Sequence, residues 1–225
     1  MLTSTTDMAL LRLLQLSSVS LPVGGYSFSQ GLEYAIDCGW LKNAQDIEHW
    51  TALQMSESIA RSELPILRLS MLALADDKID KLIEYNELLL ASRESKELRL
   101  TDTAMGEALA RLMRNQGIAI PFERPQEISF VILFAIAAQH WHINYYTAAL
   151  GFSWSWLENQ ISAATKLMPL GQTQAQQLLG NLQPNIVTAI ENAQTIEADD
   201  IGSCLTALAI ASALHETQYS RLFRS

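Results

Sequence analysis

The spacing of the apolar residues constrains this chain more than any other feature of its sequence. Apolar side chains recur at intervals of three and four residues through most of the chain, as at Met8, Leu11 and Leu14. No stretch sustains the alternation of apolar and polar residues that a half-buried strand shows. The pattern therefore predicts an all-α fold of about nine or ten helices. Because no long linker-like stretch interrupts it, we expect residues 1–225 to form a single compact domain.

Residues that start, end or break helices divide this pattern into segments. Ser27 followed by Gln30 predicts a capping box at the start of a helix that Gly39 ends. Asn43 is expected to cap the next helix, which Pro65 should interrupt. The remaining helices are predicted over residues 7–17, 79–92, 96–115, 127–141 and 144–167, after Gly171 with a bend near Pro184, and from about Ser203 to His215.

The charge of the chain limits its partners. A formal net charge of −9 argues against nucleic acid, because phosphate binding needs clustered Lys and Arg. The longest apolar run, residues 128–138, is too short for a bilayer span of about 20 residues, so no membrane partner is expected. Cys38 and Cys204 form no C-x-x-C pair and indicate free thiols in a reducing compartment. A cytoplasmic location is therefore predicted.

The end of the chain differs from the acidic half that precedes it. Between Pro125 and Ser220 the only cation is Lys166, yet Arg221 and Arg224 flank the apolar pair Leu222 and Phe223 in the last residues. We interpret residues 217–225 as a docking tail, since an apolar terminus without cover would be exposed to water. The alternative is that Leu222 and Phe223 fold back onto the core of the chain itself. The residues favour neither interpretation.

Motifs for bond-making chemistry are weak. The glycine-rich run around Gly24 and Gly25 follows no strand and matches no phosphate-binding loop, and Ser27 lacks the setting of a nucleophile elbow. His215 and Glu216 begin like a zinc-binding H-E-x-x-H, but the second histidine is replaced by Tyr219. No catalytic residue and no metal ligand are predicted. A structural or interfacial role for His215 is favoured.

A charge-rich turn precedes the helix predicted at residues 96–115. Glu94, Glu97 and Arg99 fall within it. Local ion pairs of this kind are typical of a solvated helix face, which is the favoured interpretation here, with a functional role as the alternative. Gly106 and Ala110 offer a small surface on the same helix for close approach of another helix.

Four blocks taken together resemble the urease accessory protein UreF family. They are LPVGGYSFSQGLE at 21–33, KELR at 96–99, LGQT at 170–173 and HETQYSRLFRS at 215–225. Each block alone is modest, but their order and spacing run nearly end to end. One departure is Lys166, where arginine would be expected before the Pro-Leu-Gly-Gln segment, and a bidentate contact there would be weakened.

The resemblance implies a function and a set of partners. It implies a non-catalytic, all-helical homodimer that bridges the GTPase UreG and the scaffold UreD, also called UreH, on apo-urease during GTP-dependent nickel insertion. Nickel and GTP would act through these partners, and the protein would have no cofactor of its own. The alternatives are a nickel carrier that uses His215, Cys204 or a dimer interface, and a small hydrolase that uses Ser27 or Ser29.

The resemblance also implies which residues contact partners. Those implied are Gly24, Gly25, Tyr26, Ser29, Gln30, Glu33, Glu97, Arg99, Lys166, Gln172, His215, Tyr219, Ser220, Arg221, Leu222, Phe223, Arg224 and Ser225.

Overall fold

Ten α-helices and no strand occur in the part of the chain that the computed structural model describes, residues 5–123 and 126–225. This arrangement confirms the all-α prediction, and the helices form one compact unit. In chain order they are α1 (Asp7–Leu16), α2 (Leu32–Asp37), α3 (Ala44–Gln54), α4 (Glu63–Ala75), α5 (Ile79–Ala91), α6 (Lys96–Asn115), α7 (Phe130–His140), α8 (Tyr145–Leu167), α9 (Gln172–Ala193) and α10 (Thr206–His215).

Short polar side chains begin several of these helices. Asn43 accepts a hydrogen bond from the Asp46 amide at 3.1 Å, as the sequence predicts, and Ser95 accepts from the Leu98 amide at 3.0 Å at the start of α6. Ser129 caps α7, which therefore starts later than predicted, with the amide of Val131 as its donor. Each of these side chains satisfies one amide that the helix itself cannot pair.

Proline marks the helix boundaries less closely than predicted. The break between α3 and α4 falls after a π-helical turn at Met55–Ile59, before Pro65, which lies in the first turn of α4. In that turn a missing amide hydrogen costs nothing, because no intrahelical acceptor is available. Likewise α9 continues through Pro184. Pro121 and Pro125 also predict a break in the helical pattern. The chain there is irregular up to residue 123, while residues 124 and 125 lie outside the described residues.

The centre of the molecule is α7, whose residues from Phe130 to Ala138 are all buried. It packs against α4 and α6, while α8 packs against α9 and α10 packs against α2. Gly106 allows α6 to approach the segment before α7, because a Cβ at this position would collide with the carbonyl oxygen of Ile128. The close approach predicted at Gly106 is thus made by this segment and not by another helix. None of the helices in the described residues is long and apolar enough to cross a membrane.

Candidate functional site

A turn rich in left-handed backbone leads from the first helix into α2. Gly24 has a φ of 74° and precedes a single 3-10 turn at Gly25–Ser27, and Gln30 and Gly31 follow with φ of 52° and 82°. The prediction of Ser27 as N-cap is wrong, because its hydroxyl donates to the Gly24 carbonyl at 2.7 Å and α2 begins only at Leu32. The residues between Ser27 and Leu32 therefore form a turn, and no helix begins there.

Two buried carboxylates from distant helices share one histidine. Glu33 on α2 and Glu97 on α6 are both buried, and the fully buried His215 at the end of α10 lies between them. Its Nε2 is 2.9 Å from Glu33 Oε2, and its Nδ1 is 2.7 Å from Glu97 Oε2. An ionised carboxylate can only accept hydrogen bonds, so with both glutamates ionised each ring nitrogen of His215 is the donor.

An arginine of the tail also belongs to this cluster. Arg221 donates from Nη1 to Glu97 Oε1 at 2.8 Å. We call Glu33, Glu97, His215 and Arg221 the carboxylate clamp. Such pairing is what allows charged groups to remain buried, because an unpaired buried charge is expensive.

The carboxylate clamp and the turn hold the tail by its backbone. Glu33 accepts from the amide of Leu222 at 2.6 Å and from the amide of Phe223 at 2.9 Å. The amide of Arg224 donates to the Ser27 carbonyl at 2.9 Å, and the carbonyl of Ser225 accepts from the amides of Ser29 and Gln30. Backbone contacts of this kind fix the course of the tail and leave its side chains free to differ in exposure.

The side chains of the tail divide between the core and the surface. Phe223 is 5% exposed and Ser225 1% exposed, whereas Leu222 is 64% exposed and Tyr219 fully exposed. The fold-back interpretation is therefore correct for Phe223, and the exposed-tail interpretation is correct for Tyr219 and Leu222. Ser220 and Arg224 are also exposed.

Cations above aromatic rings connect the tail to the turn. The Nζ of Lys166, near the end of α8, is 5.5 Å from the centre of the Phe223 ring and 5.9 Å from that of the exposed Tyr26. Arg224 lies 5.8 Å above the ring of Phe28. These are favourable electrostatic contacts that do not need the forked geometry of an arginine. The departure at Lys166 is thus compatible with holding the tail.

Most of the residues predicted to contact partners lie around this one site, but two do not. Arg99 donates to the Leu90 carbonyl at 2.9 Å and to Glu127 at 2.7 Å. Gln172 is exposed at the start of α9. Among the described residues no hydrogen bond or ion pair joins either of them to the tail.

The charge-rich turn before α6 is mostly not a solvated face. Glu97 is buried in the carboxylate clamp, and Arg93 donates to Glu63 at 2.6 Å and to Asp102 at 2.8 Å in the interior. Burial opposes the charged form of Arg93, but the two carboxylates outweigh it and raise its pKa above the ordinary value. Glu94 and Lys96 are exposed, so the solvated interpretation is correct for them and wrong for Arg93 and Glu97.

Sequence reasoning missed several residues of the site. Thr101 bonds the hydroxyl of Ser225, and Trp156 donates from Nε1 to the side-chain oxygen of Gln30 at 2.9 Å. A single Thr or Trp on a helix carries no signal of its own. The unusual feature of the site is that Glu33 and Glu97 are carboxylates on the buried sides of their helices.

The described part of the chain contains no cluster of side chains suited to bind a metal ion. No group of three or more His, Cys, Asp and Glu residues there could hold a metal ion. Both nitrogens of His215 are hydrogen-bonded to carboxylates, so the ring would have to leave the carboxylate clamp to act as a ligand. Cys38 and Cys204 are both exposed free thiols.

The fold and the site together define an all-helical protein whose tail is held against its own helices by hydrogen bonds to buried carboxylates. The model of the UreF family matches residues 41–183, more than half of the chain, and the chain belongs to that family. The sequence resemblance to this family is thereby confirmed.

Curated relatives agree with this assignment over nearly the full length. A urease accessory protein UreF from Marinomonas sp. (strain MWYL1) is 63% identical over 98% of this chain and 96% of its own length. Proteins of the same name from Hahella chejuensis, at 43% identity, and Chromohalobacter salexigens, at 42%, each match over 97% of this chain. They cover 99% and 95% of their own lengths.

Proposed function

We propose that this protein is a non-catalytic urease accessory factor of the cytoplasm that supports GTP-dependent nickel insertion into apo-urease. It acts as a homodimeric scaffold that bridges the GTPase UreG and the scaffold UreD and modulates the GTPase. Membership of the UreF family supports this proposal, since the relatives are named urease accessory proteins.

The observation that carries the proposal is the divided exposure of the tail. Tyr219 and Leu222 project into water, while the backbone between Leu222 and Ser225 is hydrogen-bonded to Glu33 and to the turn. Because the backbone at Leu222 is already held, little further backbone entropy is lost when a partner covers its side chain. The tail is therefore suited to be an anchor for UreD, with Tyr219 and Leu222 as its apolar contacts.

Arg221 and Phe223 have a different role in this proposal. Arg221 is engaged with Glu97 and Phe223 is buried under Lys166. Both hold the tail in place, so their loss would weaken UreD binding indirectly.

The alternative function, a nickel carrier, has no comparable support, since the described residues offer no metal-binding cluster and His215 is fully hydrogen-bonded. Equilibrium dialysis of the isolated protein against nickel separates the two functions. Stoichiometric binding that is lost in Cys204→Ser or His215→Gln would favour the carrier.

The structure allows a sharper test of the tail than its deletion, which would also remove Arg221 from the carboxylate clamp. The double variant Tyr219→Ala/Leu222→Ser changes only exposed side chains. We expect it to lose co-elution with UreD on a sizing column and to activate urease poorly, with an unchanged melting temperature. Leu72→Ser, which alters an exposed leucine on α4, is the matched control. Normal UreD binding by the double variant would remove the tail from the proposal, and failure of the wild-type protein to bind both UreD and UreG would remove the scaffold function itself.

A further inference from the structure

An open groove of about 770 Å³ lies between α6 and the segment that leads into α7. Its lining on α6 extends from Leu100 to Arg114, a rise of about 21 Å along the helix. The other wall is formed by residues 126–128. Gly106 brings the two walls together, because only a hydrogen at this position leaves room for the carbonyl of Ile128.

This groove is positively charged, although the formal net charge of the chain is −9. Two cations lie at its edge, since Arg99 donates to Glu127 at 2.7 Å and Lys96 is exposed one turn before Leu100 on the same face of α6. In the described part of the chain, the charged residues that line it are Arg111, Arg114, Arg224, Glu107 and Glu127. Five cations against two anions leave a local net charge of +3. We call this space the basic groove.

The ion pairs within the basic groove do not prevent it from binding a partner. Arg111 is 3.2 Å from Glu107, with side chains that are 69% and 76% exposed. Exposed pairs of this kind contribute little to stability, so a carboxylate of a partner can compete with them at small cost. The local excess of positive charge is the same whichever side chains are paired, and it attracts negative charge from solution.

The basic groove also offers an apolar contact. Leu100 is 41% exposed, and Ala104 and Ile128 line the groove beside it. A ligand that carries both carboxylates and an apolar side chain would use the charge and this contact together. The length of about 21 Å matches about six residues of extended chain and exceeds the size of a single small anion. These features describe a peptide segment.

We propose that the basic groove is a docking site for an acidic segment of a partner protein. Its carboxylates pair with the arginines, and an apolar side chain packs against Leu100. A second copy of the chain that met groove with groove across a two-fold axis would bring like charges together. Nucleic acid would be repelled by the rest of this acidic molecule. The proposal goes beyond the function of the tail, because it holds whichever partner covers Tyr219 and Leu222.

A labelled peptide tests this proposal on the wild-type protein. The probe is a fluorescein-labelled ten-residue peptide of glutamate and leucine, and its control has glutamine in place of every glutamate. We expect saturable binding of the acidic peptide by fluorescence anisotropy, weaker at higher salt because exposed charges are screened, and no binding of the control. The amide resonances of Leu100 and Ile128 should shift during the titration. No saturable binding, shifts confined to other regions, or tighter binding of a ten-nucleotide oligo-dT would overturn the proposal.

A pair of charge reversals gives a matched comparison. Arg111→Glu changes an exposed, paired cation in the basic groove, and Lys81→Glu changes an exposed cation of α5 that is paired in the same way with Glu84. Arg111→Glu should weaken peptide binding about fivefold and Lys81→Glu less than twofold, since a nearby pair is lost and a repulsion is gained only in the groove. Equal weakening by both variants would mean a general attraction of charge and would overturn the proposal.

Two further variants separate the basic groove from folding and from the tail. If Arg111→Glu does not fold, Leu100→Gln compared with Leu88→Gln, at an exposed position of α5, gives the same test. The double variant Tyr219→Ala/Leu222→Ser should bind the acidic peptide like the wild-type protein, so failure of the groove and failure of the tail are distinguishable. Self-association of the wild-type protein that Arg111→Glu abolishes would assign the groove to a second copy and contradict the proposal.

Discussion

Replacing Glu33 with glutamine tests the carboxylate clamp most directly. The carboxylate accepts three hydrogen bonds, from His215 Nε2 at 2.9 Å, from the Leu222 amide at 2.6 Å and from the Phe223 amide at 2.9 Å. The amide of glutamine has nearly the same shape but only one accepting atom, and its NH2 group would face donors.

The size of the effect follows from burial. Replacing a carboxylate oxygen with an NH2 group leaves a buried donor without its acceptor, which costs about 1–3 kcal/mol or more. Here that donor is on His215, which is fully buried. The tail can detach and admit water, so the loss in overall stability is limited to the free energy with which the tail is held. We therefore expect part of the effect to appear as local opening.

Two measurements separate global from local loss. Urea unfolding followed by circular dichroism reports overall stability, and hydrogen exchange of the Leu222 and Phe223 amides reports tail opening. Glu191→Gln, at an exposed position of α9, is the matched control and should change stability by less than about 0.5 kcal/mol. If Glu33→Gln keeps wild-type stability and wild-type protection of both amides, the carboxylate clamp does not hold the tail.

Three further predictions concern packing, pH and the tail. Gly106→Ala should destabilise the protein by about 1–3 kcal/mol or more, since its Cβ meets a backbone carbonyl. Gly180→Ala, which places its Cβ in open space on α9, should stabilise the protein by about 0.5–1 kcal/mol in the same urea titration. Burial raises the pKa of the Tyr145 hydroxyl to about 12. The stability that this shift contributes is complete below the ordinary pKa near 10 and is lost as the pH rises through 12. Tyr145→Phe should remove this fall in melting temperature from an alkaline pH profile. Lys166→Ala should speed hydrogen exchange in the tail by a few fold, whereas Lys166→Arg should not. Each exposed cation–aromatic contact contributes about 0.5–1 kcal/mol, and arginine can keep these contacts. Equal exchange rates in both variants would contradict this prediction.

Local signals predicted most of the helices because the responsible residues act on their own neighbours. The helix predicted at 96–115 is α6 with the same bounds, since Ser95 caps it and Gly117 follows it with a φ of 76°. The prediction at Ser27 was wrong because a serine caps a helix only if the residues after it are helical. Positive φ angles at Gln30 and Gly31 prevent a helix from starting there.

Several residues named from the resemblance lie together in the structure, but their arrangement was not predicted. The resemblance named Glu33, Glu97 and His215, yet nothing in the sequence states that residues so far apart share two hydrogen bonds. Burial of a carboxylate depends on cations that arrive from another part of the chain, which is a tertiary effect. The exposure of each tail side chain depends on the same packing. Whether these residues contact UreD, UreG or a second copy remains a prediction.

The carboxylate clamp has a consequence for the order in which the newly made polypeptide can mature. Glu33 and Glu97 leave the ribosome long before His215 and Arg221, the residues whose side chains pair with them. Until those partners emerge, α2 and α6 cannot bury these carboxyl groups with their hydrogen bonds satisfied. Final closure around α10 is therefore delayed until late in translation, and a nascent chain that stalls before residue 215 keeps this side of the molecule open to chaperones and proteases.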